Sequence, residues 1–249
     1  MAAYLITGAS REGLGRALVE ALLSRPENTV IAGVRDLRSA KSLSLTDLPC
    51  ADSSRLIVVK IDSASDTDAA DAARTLSTRY GVDKIDVVVA NAGSGNVYGD
   101  LSAVNPGEVK DLIDVNGVGP LRLFQAVRGF LEKSEAGKFV LIGTPIASIG
   151  AMEKAPWPMF AYGASKVVAH YLTRKIHWES QTLTAFVVDP GFMQTDMGNA
   201  GARYFGYHEA FVPVENSCQF VLRQIEEATR ETLGGRFVTI DESRKEVEW

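Results

Sequence analysis

Tyr162 and Lys166 form a residue pair that could transfer a proton. They stand four positions apart, and on a helix side chains with that spacing share one face. A free phenol titrates near about 10 and is a poor base at neutral pH, but a neighbouring ammonium group favours the phenolate and lowers the pKa. The pair therefore predicts an acid–base centre that protonates a developing alkoxide or deprotonates an alcohol. Taken alone, it is better explained by an amphipathic helix carrying a chance Tyr and Lys.

A glycine-rich segment near the start of the chain favours the acid–base centre over a chance pairing of Tyr and Lys. Residues 7–15 read TGASREGLG and join a predicted strand to a predicted helix. Gly8 would permit the tight turn, Gly13 would let a pyrophosphate approach the backbone, and Gly15 would let helix and sheet pack closely. The helix N-terminus would face the phosphate charge. Glycines at such a turn are often only structural, but their place in the first strand–helix unit predicts a dinucleotide site.

The end of the second predicted strand indicates which dinucleotide binds. An NAD enzyme places an acid there for the ribose 2′-hydroxyl, whereas an NADP enzyme needs positive charge for a 2′-phosphate. The register puts Gly33 or Val34 at the position of the acid. Arg35 follows directly and Arg11 of the glycine turn could join it, giving two guanidinium groups suited to a phosphate. We predict NADP(H), although Asp36 argues for caution and Arg35 would equally suit the start of a solvated helix.

Short apolar runs alternate along the chain with longer amphipathic segments. The runs are apolar on both faces, as in a parallel sheet covered by helices on both sides, and right-handed crossovers then give a doubly wound α/β fold of Rossmann type. We predict a single domain over residues 1–249. The predicted strands span 3–7, 29–34, 55–61, 85–90, 139–143, 184–188 and 236–240. The predicted helices span 15–24, 39–45, 66–80, 106–133, 160–180 and 214–229.

The composition is that of a soluble globular protein. Of the 249 residues 46% are hydrophobic and the net charge is −5, which argues against nucleic-acid and anionic-membrane partners. Cys50 and Cys218 lie far apart and indicate free thiols in a reducing compartment, although they could pair. No signal peptide or membrane-spanning stretch is evident, so we expect a cytoplasmic protein. His170, His177 and His208 form no ligand cluster, and we predict no catalytic metal.

Five groups of residues together resemble the short-chain dehydrogenases/reductases, in the order of that family and over nearly the whole chain. They are residues 7–15, Asn91-Ala92-Gly93, Asn116, Tyr162 with Lys166, and Pro190-Gly191 with Thr195. Residues 237–249 and the long loop before Tyr162 resemble the fungal ketoreductase branch, which includes norsolorinic acid ketoreductases. That likeness would place the protein in fungal secondary metabolism.

The resemblance implies roles for individual residues. Lys166 would hold the nicotinamide ribose, and Asn116 would complete a catalytic tetrad by holding a bent helix and a water. Asp62 would orient the adenine ring, and Thr195 would reach the nicotinamide amide or the phosphate. Helices beginning near residues 106 and 160 pair across subunits in this family, which implies a homodimer or homotetramer. The residues expected to contact NADP(H) are Gly8, Ser10, Arg11, Gly13, Leu14, Gly15, Arg35, Asp62, Asn91, Ala92, Gly93, Tyr162, Lys166, Gly191, Met193 and Thr195.

A second hydrogen-bond donor should polarise the carbonyl group of the substrate, because a preorganised dipole stabilises charge that develops in the transition state. The family uses a serine just after the fifth strand, and this chain departs from that pattern. Alignment of the strand end puts Thr144 in its place, where the hydroxyl can donate the same hydrogen bond and the methyl group narrows the pocket. Ser148 is the second choice, and Thr144 would also suit a simple cap.

Two segments should wall the substrate pocket, because ligands of this fold enter at the carboxyl ends of the strands. Residues 152–160 include Met152, Trp157, Met159 and Phe160, and a lid at about 196–212 includes Met197, Tyr204, Phe205, Tyr207 and Phe211. Such walls suit a bulky apolar or aromatic carbonyl compound, such as an aromatic polyketide, although the same residues would serve as satellite core or a subunit contact. The lid glycines at 198, 201 and 206 indicate mobility.

Three functions fit these residues. The leading hypothesis is an NADP(H)-dependent oxidoreductase that reduces a ketone or aldehyde to an alcohol, or runs the reverse reaction, with Tyr162 as acid/base. A non-redox enzyme of the same fold, catalysing dehydration, isomerisation or cyclisation, is admitted by Thr144 in the place of serine, and turnover without nicotinamide oxidation would favour it. A nucleotide-sensing regulator would not require the intact Tyr162–Lys166 pair.

Overall fold

Seven apolar segments form one parallel β-sheet in the computed structural model, which describes residues 2–95, 97–154, 156–241 and 247–249. Neighbouring strands are all parallel, in the order β3-β2-β1-β4-β5-β6-β7. The predicted doubly wound sheet is therefore confirmed, with each strand end within two residues of its predicted position. The strands are β1 Ala2–Thr7, β2 Asn28–Val34, β3 Arg55–Lys60, β4 Val87–Ala90, β5 Lys138–Ile142, β6 Thr184–Asp189 and β7 Phe237–Thr239.

Within the described residues, eight α-helices connect or flank the strands. They are α1 Leu14–Leu23, α2 Ala40–Leu43, α3 Asp68–Tyr80, α4 Pro106–Ile113, α5 Gly119–Leu131, α6 Phe160–Glu179, α7 Asp196–Tyr204 and α8 Val214–Glu227. One apolar core packs α3, α5 and α6 on one face of the sheet, around Leu76, Val127 and Ile176. A second core packs α1 and α8 on the other face, around Leu18 and Val221. Burial of both faces explains why the strands carry no polar alternation.

The predicted single helix at 106–133 is wrong in its middle. A π-helical segment, Asp114–Val118, separates α4 from α5. Pro120 supplies the physical reason, because it has no N–H group to donate to the carbonyl of Asn116 and so interrupts the α-helical ladder there. The short helix predicted at 39–45 is also divided, into α2 and a 3-10 turn at Ser44–Asp47.

The helix α7 was not predicted, since its sequence carries two glycines and little apolar periodicity. Thr195 caps its start by accepting a hydrogen bond from the Gly198 backbone N–H at 3.1 Å. A Cβ atom on Gly198 would lie 1.9 Å from the Met193 carbonyl oxygen, and one on Gly201 would lie 3.3 Å from the Tyr98 hydroxyl. These two glycines therefore permit close packing. Only Gly206, with φ of 83° and open space around it, has the freedom expected of a lid glycine.

The carboxyl ends of β1 and β4 lie side by side at the centre of the sheet, where the strand order reverses. In sheets of this kind ligands bind at that switch point. The Thr7 hydroxyl oxygen accepts hydrogen bonds from the backbone N–H groups of Asn91 and Ala92, at 3.1 and 3.0 Å. The glycine turn and the loop after β4 are thereby fastened together at the edge where a cofactor would enter.

Residues 247–249 pack against the loop that follows β5. Val247 N–H donates to the Phe237 carbonyl at 3.0 Å, and Gly150 N–H donates to the Trp249 carbonyl at 2.7 Å. Arg174 stacks over the Trp249 ring at 4.9 Å. Of the two segments that resemble the fungal branch, residues 242–246 and Ala155 lie outside the described residues.

Candidate active site

Tyr162 and Lys166 lie on the same face of α6 and point toward the end of β5. The Lys166 ammonium group is buried, donates to the Ile142 carbonyl oxygen at 2.9 Å, and lies 6.0 Å from the centre of the Tyr162 ring. Tyr162 is partly exposed, and its ring packs against Gly95, where a Cβ atom would approach to 3.0 Å. The predicted pairing on one helical face is thus present.

The pKa values of this pair are set mainly by burial. Burial raises the pKa of the Tyr162 phenol, the Asp189 carboxylate raises it further, and a hydrogen bond with Thr144 opposes both. Burial also lowers the pKa of Lys166, to about 8. The pKa of the phenol is therefore raised, where the Tyr162–Lys166 spacing had predicted that it would be lowered, because desolvation is the largest effect and Lys166 is not among the groups that shift it. At neutral pH the phenol is protonated, as a proton donor must be.

Thr144, the second residue after β5, lies near Tyr162. Its side chain lies close enough to the phenol to lower the pKa of Tyr162, against the effect of burial. Its oxygen also accepts the Ile146 N–H at 3.3 Å, so Thr144 is a cap as well. Ser148 is engaged elsewhere, since its hydroxyl donates to the Glu248 carbonyl. Of the two candidate donors, the structure brings Thr144 to the phenol and ties Ser148 to residues 247–249.

Asn116 lies in the π-helical segment and is fully buried. Its amide donates to the Ser94 carbonyl at 2.7 Å and to the Ser165 hydroxyl at 2.9 Å, and its oxygen accepts the Ser94 N–H at 2.8 Å. Ser165 is the neighbour of Lys166 on α6. Asn116 therefore joins the π-helical segment, the loop after β4 and α6.

The glycine turn has the backbone geometry that a dinucleotide requires. Gly8 has φ of 69° and Gly13 has φ of 149°, both in the region that favours glycine. A Cβ atom on Gly15 would lie 2.5 Å from the Asn91 amide nitrogen, which accounts for the close helix–sheet contact. Ser10 is half-buried in the turn and Arg11, Glu12 are exposed. The Leu14 side chain packs in the core, which leaves only its backbone at the helix start to meet a ligand.

Arg35 lies beside the glycine turn, at the carboxyl end of β2. It follows β2 directly and is exposed, and the Gly33 carbonyl accepts the Ala9 N–H of the glycine turn at 3.2 Å. The neighbouring carboxylate of Asp36 is used locally, because it accepts the Arg38 N–H at 2.9 Å. Asp62, just beyond β3, likewise accepts the Ala64 N–H at 3.1 Å.

The loops after β4 and β6 complete the cleft. The Asn91 amide donates to the Thr7 carbonyl at 2.8 Å, so this side chain supports the glycine turn. A Cβ atom on Gly93 would lie 3.1 Å from the Asn116 oxygen and 3.6 Å from the Lys166 nitrogen, which places the Asn91–Gly93 segment beside the catalytic helix. After β6, Gly191 turns with φ of 83°. The Met193 side chain packs partly against the core, and the Thr195 methyl lies 3.3 Å from a Cβ position on Gly13.

An aromatic wall made of Tyr98, Trp157, Tyr204 and Phe205 stands beside Tyr162. Tyr98 stacks on Tyr204 with ring centres 4.5 Å apart and planes at 17°, and Trp157 packs on Phe205 at 4.8 Å. The Tyr98 phenol is near enough to contribute to the raised pKa of Tyr162. Tyr98 was missed from the sequence, although an aromatic residue closely following Asn91-Ala92-Gly93 could have indicated it. The predicted Tyr207 and Phe211 pack on each other instead, at 5.1 Å.

A profile of the short chain dehydrogenase family matches residues 2–203. The chain belongs to this family.

Several fungal short chain dehydrogenases are close relatives in sequence. Norsolorinic acid ketoreductase nor1 of Dothistroma septosporum is 46% identical over 99% of this chain and 92% of its own length. The norsolorinic acid ketoreductase of Aspergillus parasiticus is 46% identical over 94% of this chain and 87% of its own length. The resemblance to that branch, drawn from the sequence motifs, is confirmed.

Solved structures of short chain dehydrogenases share the fold. The NADPH-bound carbonyl reductase from chicken fatty liver is 22% identical, with a TM-score of 0.85 over 99% of this chain and 98% of that one. Carbonyl reductase Sniffer of D. melanogaster is also 22% identical, with a TM-score of 0.82 over the full length of both chains. At this identity the likeness is one of architecture.

Other features of this short chain dehydrogenase bear on the site indirectly. Among the described residues no three His, Cys, Asp or Glu side chains are grouped so as to bind a metal ion. None of the described helices has the length and apolar character needed to cross a membrane. Cys50 is exposed, Cys218 is buried, and both are free thiols.

Proposed function

We propose that this protein is an NADPH-dependent ketoreductase, which reduces a ketone or aldehyde to an alcohol. The observation that carries the proposal is the placement of Tyr162 and Lys166 on one face of α6 at the end of β5, with the Thr144 side chain close enough to the phenol to lower its pKa. These groups stand on the carboxyl edge of the sheet, next to a glycine turn shaped for a dinucleotide. The names of the relatives support carbonyl reduction as the reaction type.

Each side chain of the site has its own role in the reaction. When bound, NADPH supplies a hydride to the carbonyl carbon. The Tyr162 phenol donates its proton to the carbonyl oxygen as negative charge develops there. The Thr144 hydroxyl donates a hydrogen bond to that same oxygen and stabilises the charge. Lys166 holds the nicotinamide ribose and presents a buried positive charge behind the phenol, and Asn116 fixes α6 relative to the loop after β4.

The pKa of Tyr162 favours the reductive direction. A donor is useful only in its protonated form, and burial raises the pKa of this phenol, so the acid form is present throughout the neutral range. The reverse reaction would need the phenolate, which the same burial disfavours. Reduction should therefore run at a steady rate through neutral pH and decline first near pH 8, where Lys166 loses its proton, because the phenol stays protonated well above that pH.

We infer NADP(H) rather than NAD(H) from the charges beside the glycine turn. Arg35 and Arg11 are both exposed at the end of the cleft that would hold the adenosine. An exposed guanidinium group binds a phosphate with two hydrogen bonds, and nothing at Gly33 or Val34 can accept from a ribose hydroxyl through a carboxylate. Asp36 is occupied by the Arg38 N–H, so it competes little for that position.

Replacing Arg35 by Asp tests the cofactor assignment. The wild-type protein should bind NADPH about 10- to 100-fold more tightly than NADH, the range expected for charge-assisted hydrogen bonds to a phosphate. In Arg35→Asp this ratio should fall toward one or invert, as measured by quenching of protein fluorescence. Arg128→Asp is the matched control. Arg128 lies in the last turn of α5, toward the amino ends of the strands and away from the glycine turn. Equal wild-type affinities for the two cofactors would contradict the assignment.

The substrate we propose is a flat aromatic ketone of the polyketide type, as in fungal secondary metabolism. The aromatic wall presents ring faces and edges beside Tyr162, and Met197 of the lid reaches the Gly95 position against the same phenol. Aromatic rings and methionine sulfur form favourable contacts with a planar ligand. The names of the relatives at 46% identity point to the same class.

Removal of the Tyr98 ring tests this substrate class. We expect Tyr98→Ala to lower kcat/KM for a polycyclic aromatic ketone by about tenfold, mainly through KM, because a stacked pair contributes about 0.5–1.5 kcal/mol beyond its buried area. For a small aliphatic ketone the change should stay within about twofold. Tyr207→Ala serves as the control, since Tyr207 belongs to the lid but packs on Phe211, outside the wall. An equal loss for both substrates would argue against stacking.

The reaction type itself is tested by following nicotinamide absorbance with a panel of aromatic ketones. Oxidation of NADPH in proportion to alcohol formed is the expected result. Product formation without nicotinamide oxidation would indicate a non-redox enzyme of this fold, and tight NADPH binding with no turnover on any ketone would indicate a nucleotide sensor.

We also propose that the protein is a cytoplasmic homo-oligomer. The outer face of α6 carries Val168, Tyr171 and Trp178, all exposed, and the last two are each 69% accessible. Apolar side chains of this size on one helical stripe are typical of a subunit contact. Sedimentation at several protein concentrations would show whether a dimer or tetramer forms.

A further inference from the structure

Three side chains on one stripe of α6 hold the end of β5. Tyr162, Lys166 and His170 follow one another at intervals of four residues, so they project from the same face of the helix. The Lys166 ammonium donates to the Ile142 carbonyl at 2.9 Å, and the His170 Nε2 accepts the Thr144 N–H at 3.4 Å. The backbone on either side of Gly143 is thereby fixed by two successive turns of the catalytic helix.

Gly143 leaves room for the His170 ring to approach the backbone. A Cβ atom at this position would lie 2.6 Å from the His170 Nε2 and 2.2 Å from a Val187 methyl group. No larger residue fits there unless the ring moves away from Thr144. The absence of a side chain at Gly143 therefore allows the contact between the His170 imidazole and the Thr144 N–H group.

The surroundings of His170 keep its ring neutral and immobile. The ring is 3% exposed, packs edge-on against Phe237 with centres 4.6 Å apart, and meets Trp249 at 6.1 Å. Burial, together with the positive charge of Lys166, lowers the pKa of His170 to about 3. A neutral imidazole can accept a hydrogen bond at Nε2, whereas a protonated one cannot. The Nδ1 atom has no partner among the described residues, so the polar contact of this ring is directed to Thr144.

We propose that His170 is a positioning residue, which orients Thr144 toward the substrate oxygen by accepting its backbone N–H. The inference rests on the proposed function, in which the Thr144 hydroxyl stabilises the developing alkoxide. If the Thr144 backbone rotates, its hydroxyl moves away from the Tyr162 phenol and from the carbonyl oxygen. Donors of this kind must be held within a few tenths of an ångström to be effective.

The test compares three variants. His170→Leu fills the space but removes the acceptor, and it should lower kcat about tenfold with little change in the KM for NADPH. His170→Gln retains an acceptor at similar reach and should restore kcat to within about threefold of wild type. His177→Leu is the matched control, because His177 lies two turns further along α6, is equally buried, and contacts Gly234 and Gly235 far from β5. It should lower stability without lowering kcat.

Two further readouts separate positioning from a general loss of structure. In a double-mutant cycle with Thr144→Val, the His170→Leu effect on kcat should largely disappear, because both changes disable the same hydroxyl. Hydrogen exchange at the Thr144 amide should be fast in His170→Leu and slow in the wild type and in His170→Gln. Unchanged kcat in His170→Leu, or full additivity in the cycle, would overturn the proposal.

A failure of the proposed function would look different. In that case the wild-type protein would not oxidise NADPH with any ketone, while amide exchange at Thr144 would still report on His170. Slow exchange in His170→Leu would then overturn the positioning role by itself, and fast exchange would support it.

Discussion

Tyr162→Phe lowers kcat for ketone reduction by about 10²- to 10⁴-fold and leaves NADPH affinity within about twofold of wild type. The range is that of a positioned general acid. The substitution removes only the phenolic oxygen, so the ring still packs against Gly95 and the Thr144 hydroxyl loses one partner. The measurement is steady-state NADPH oxidation with a saturating aromatic ketone, paired with a fluorescence titration of NADPH.

The matched control is Tyr171→Phe. Tyr171 lies on the same helix, is 69% exposed and faces outward, so its hydroxyl has no access to the cleft. Full activity in Tyr171→Phe with a large loss in Tyr162→Phe locates the proton donor. If Tyr162→Phe keeps wild-type kcat, another group supplies the proton and the assignment of the catalytic pair is wrong.

The second large effect is expected at Thr144. Thr144→Val keeps the shape of the side chain but removes the hydroxyl, and we expect kcat to fall about 10²- to 10³-fold, as when a single oxyanion donor is removed elsewhere. Thr144→Ser should stay within about tenfold of wild type, because the donor remains and only a methyl group is lost. The loss in Thr144→Val should appear in kcat more than in KM, because the developing charge exists only in the transition state.

Ser148→Ala provides the comparison that distinguishes the two hydroxyl groups. The Ser148 hydroxyl donates to the Glu248 carbonyl, so its removal should lower the free energy of unfolding by about 0.5–1.5 kcal/mol and leave kcat within about threefold. Thermal unfolding and kinetics on the same samples give both values. An active Thr144→Val together with an inactive Ser148→Ala would reverse the assignment of the donor.

The sheet and the cofactor edge could be predicted because they follow from local patterns. Runs such as Val87–Ala90 are apolar on both faces, and burial between two helical layers is the only arrangement that satisfies this. The glycine turn is equally local, since Gly8 and Gly13 adopt backbone angles that few other residues reach. The remaining motifs could then be located because they occur in the order that the family shows.

The sequence ranked Thr144 above Ser148 but contained nothing to show what Ser148 does instead. That depends on residues 247–249, which lie about a hundred positions further along the chain and take up the Ser148 hydroxyl. The same segment brings Trp249 against His170. Contacts over such sequence separations leave no periodic signal, and a histidine within an amphipathic helix gives no indication of its partner.

The direction of the Tyr162 pKa shift could not be predicted from the sequence either. The spacing of Tyr162 and Lys166 indicates attraction between phenolate and ammonium, but it contains no information on burial. In the structure desolvation dominates for both groups, and the Lys166 charge is partly satisfied by the Ile142 carbonyl. The result strengthens the case for a proton donor, because the phenol remains protonated under the conditions in which reduction would run.

The most direct test of the account is a single turnover with NADPH that carries deuterium at both C4 positions of the nicotinamide. Wild-type protein and an aromatic ketone should give an alcohol with one deuterium on the carbinol carbon, detected by mass spectrometry. Tyr162→Phe should bind the same cofactor and form almost none of this product. An alcohol without deuterium, or a wild-type product that is not an alcohol, would contradict hydride transfer to a carbonyl at this site.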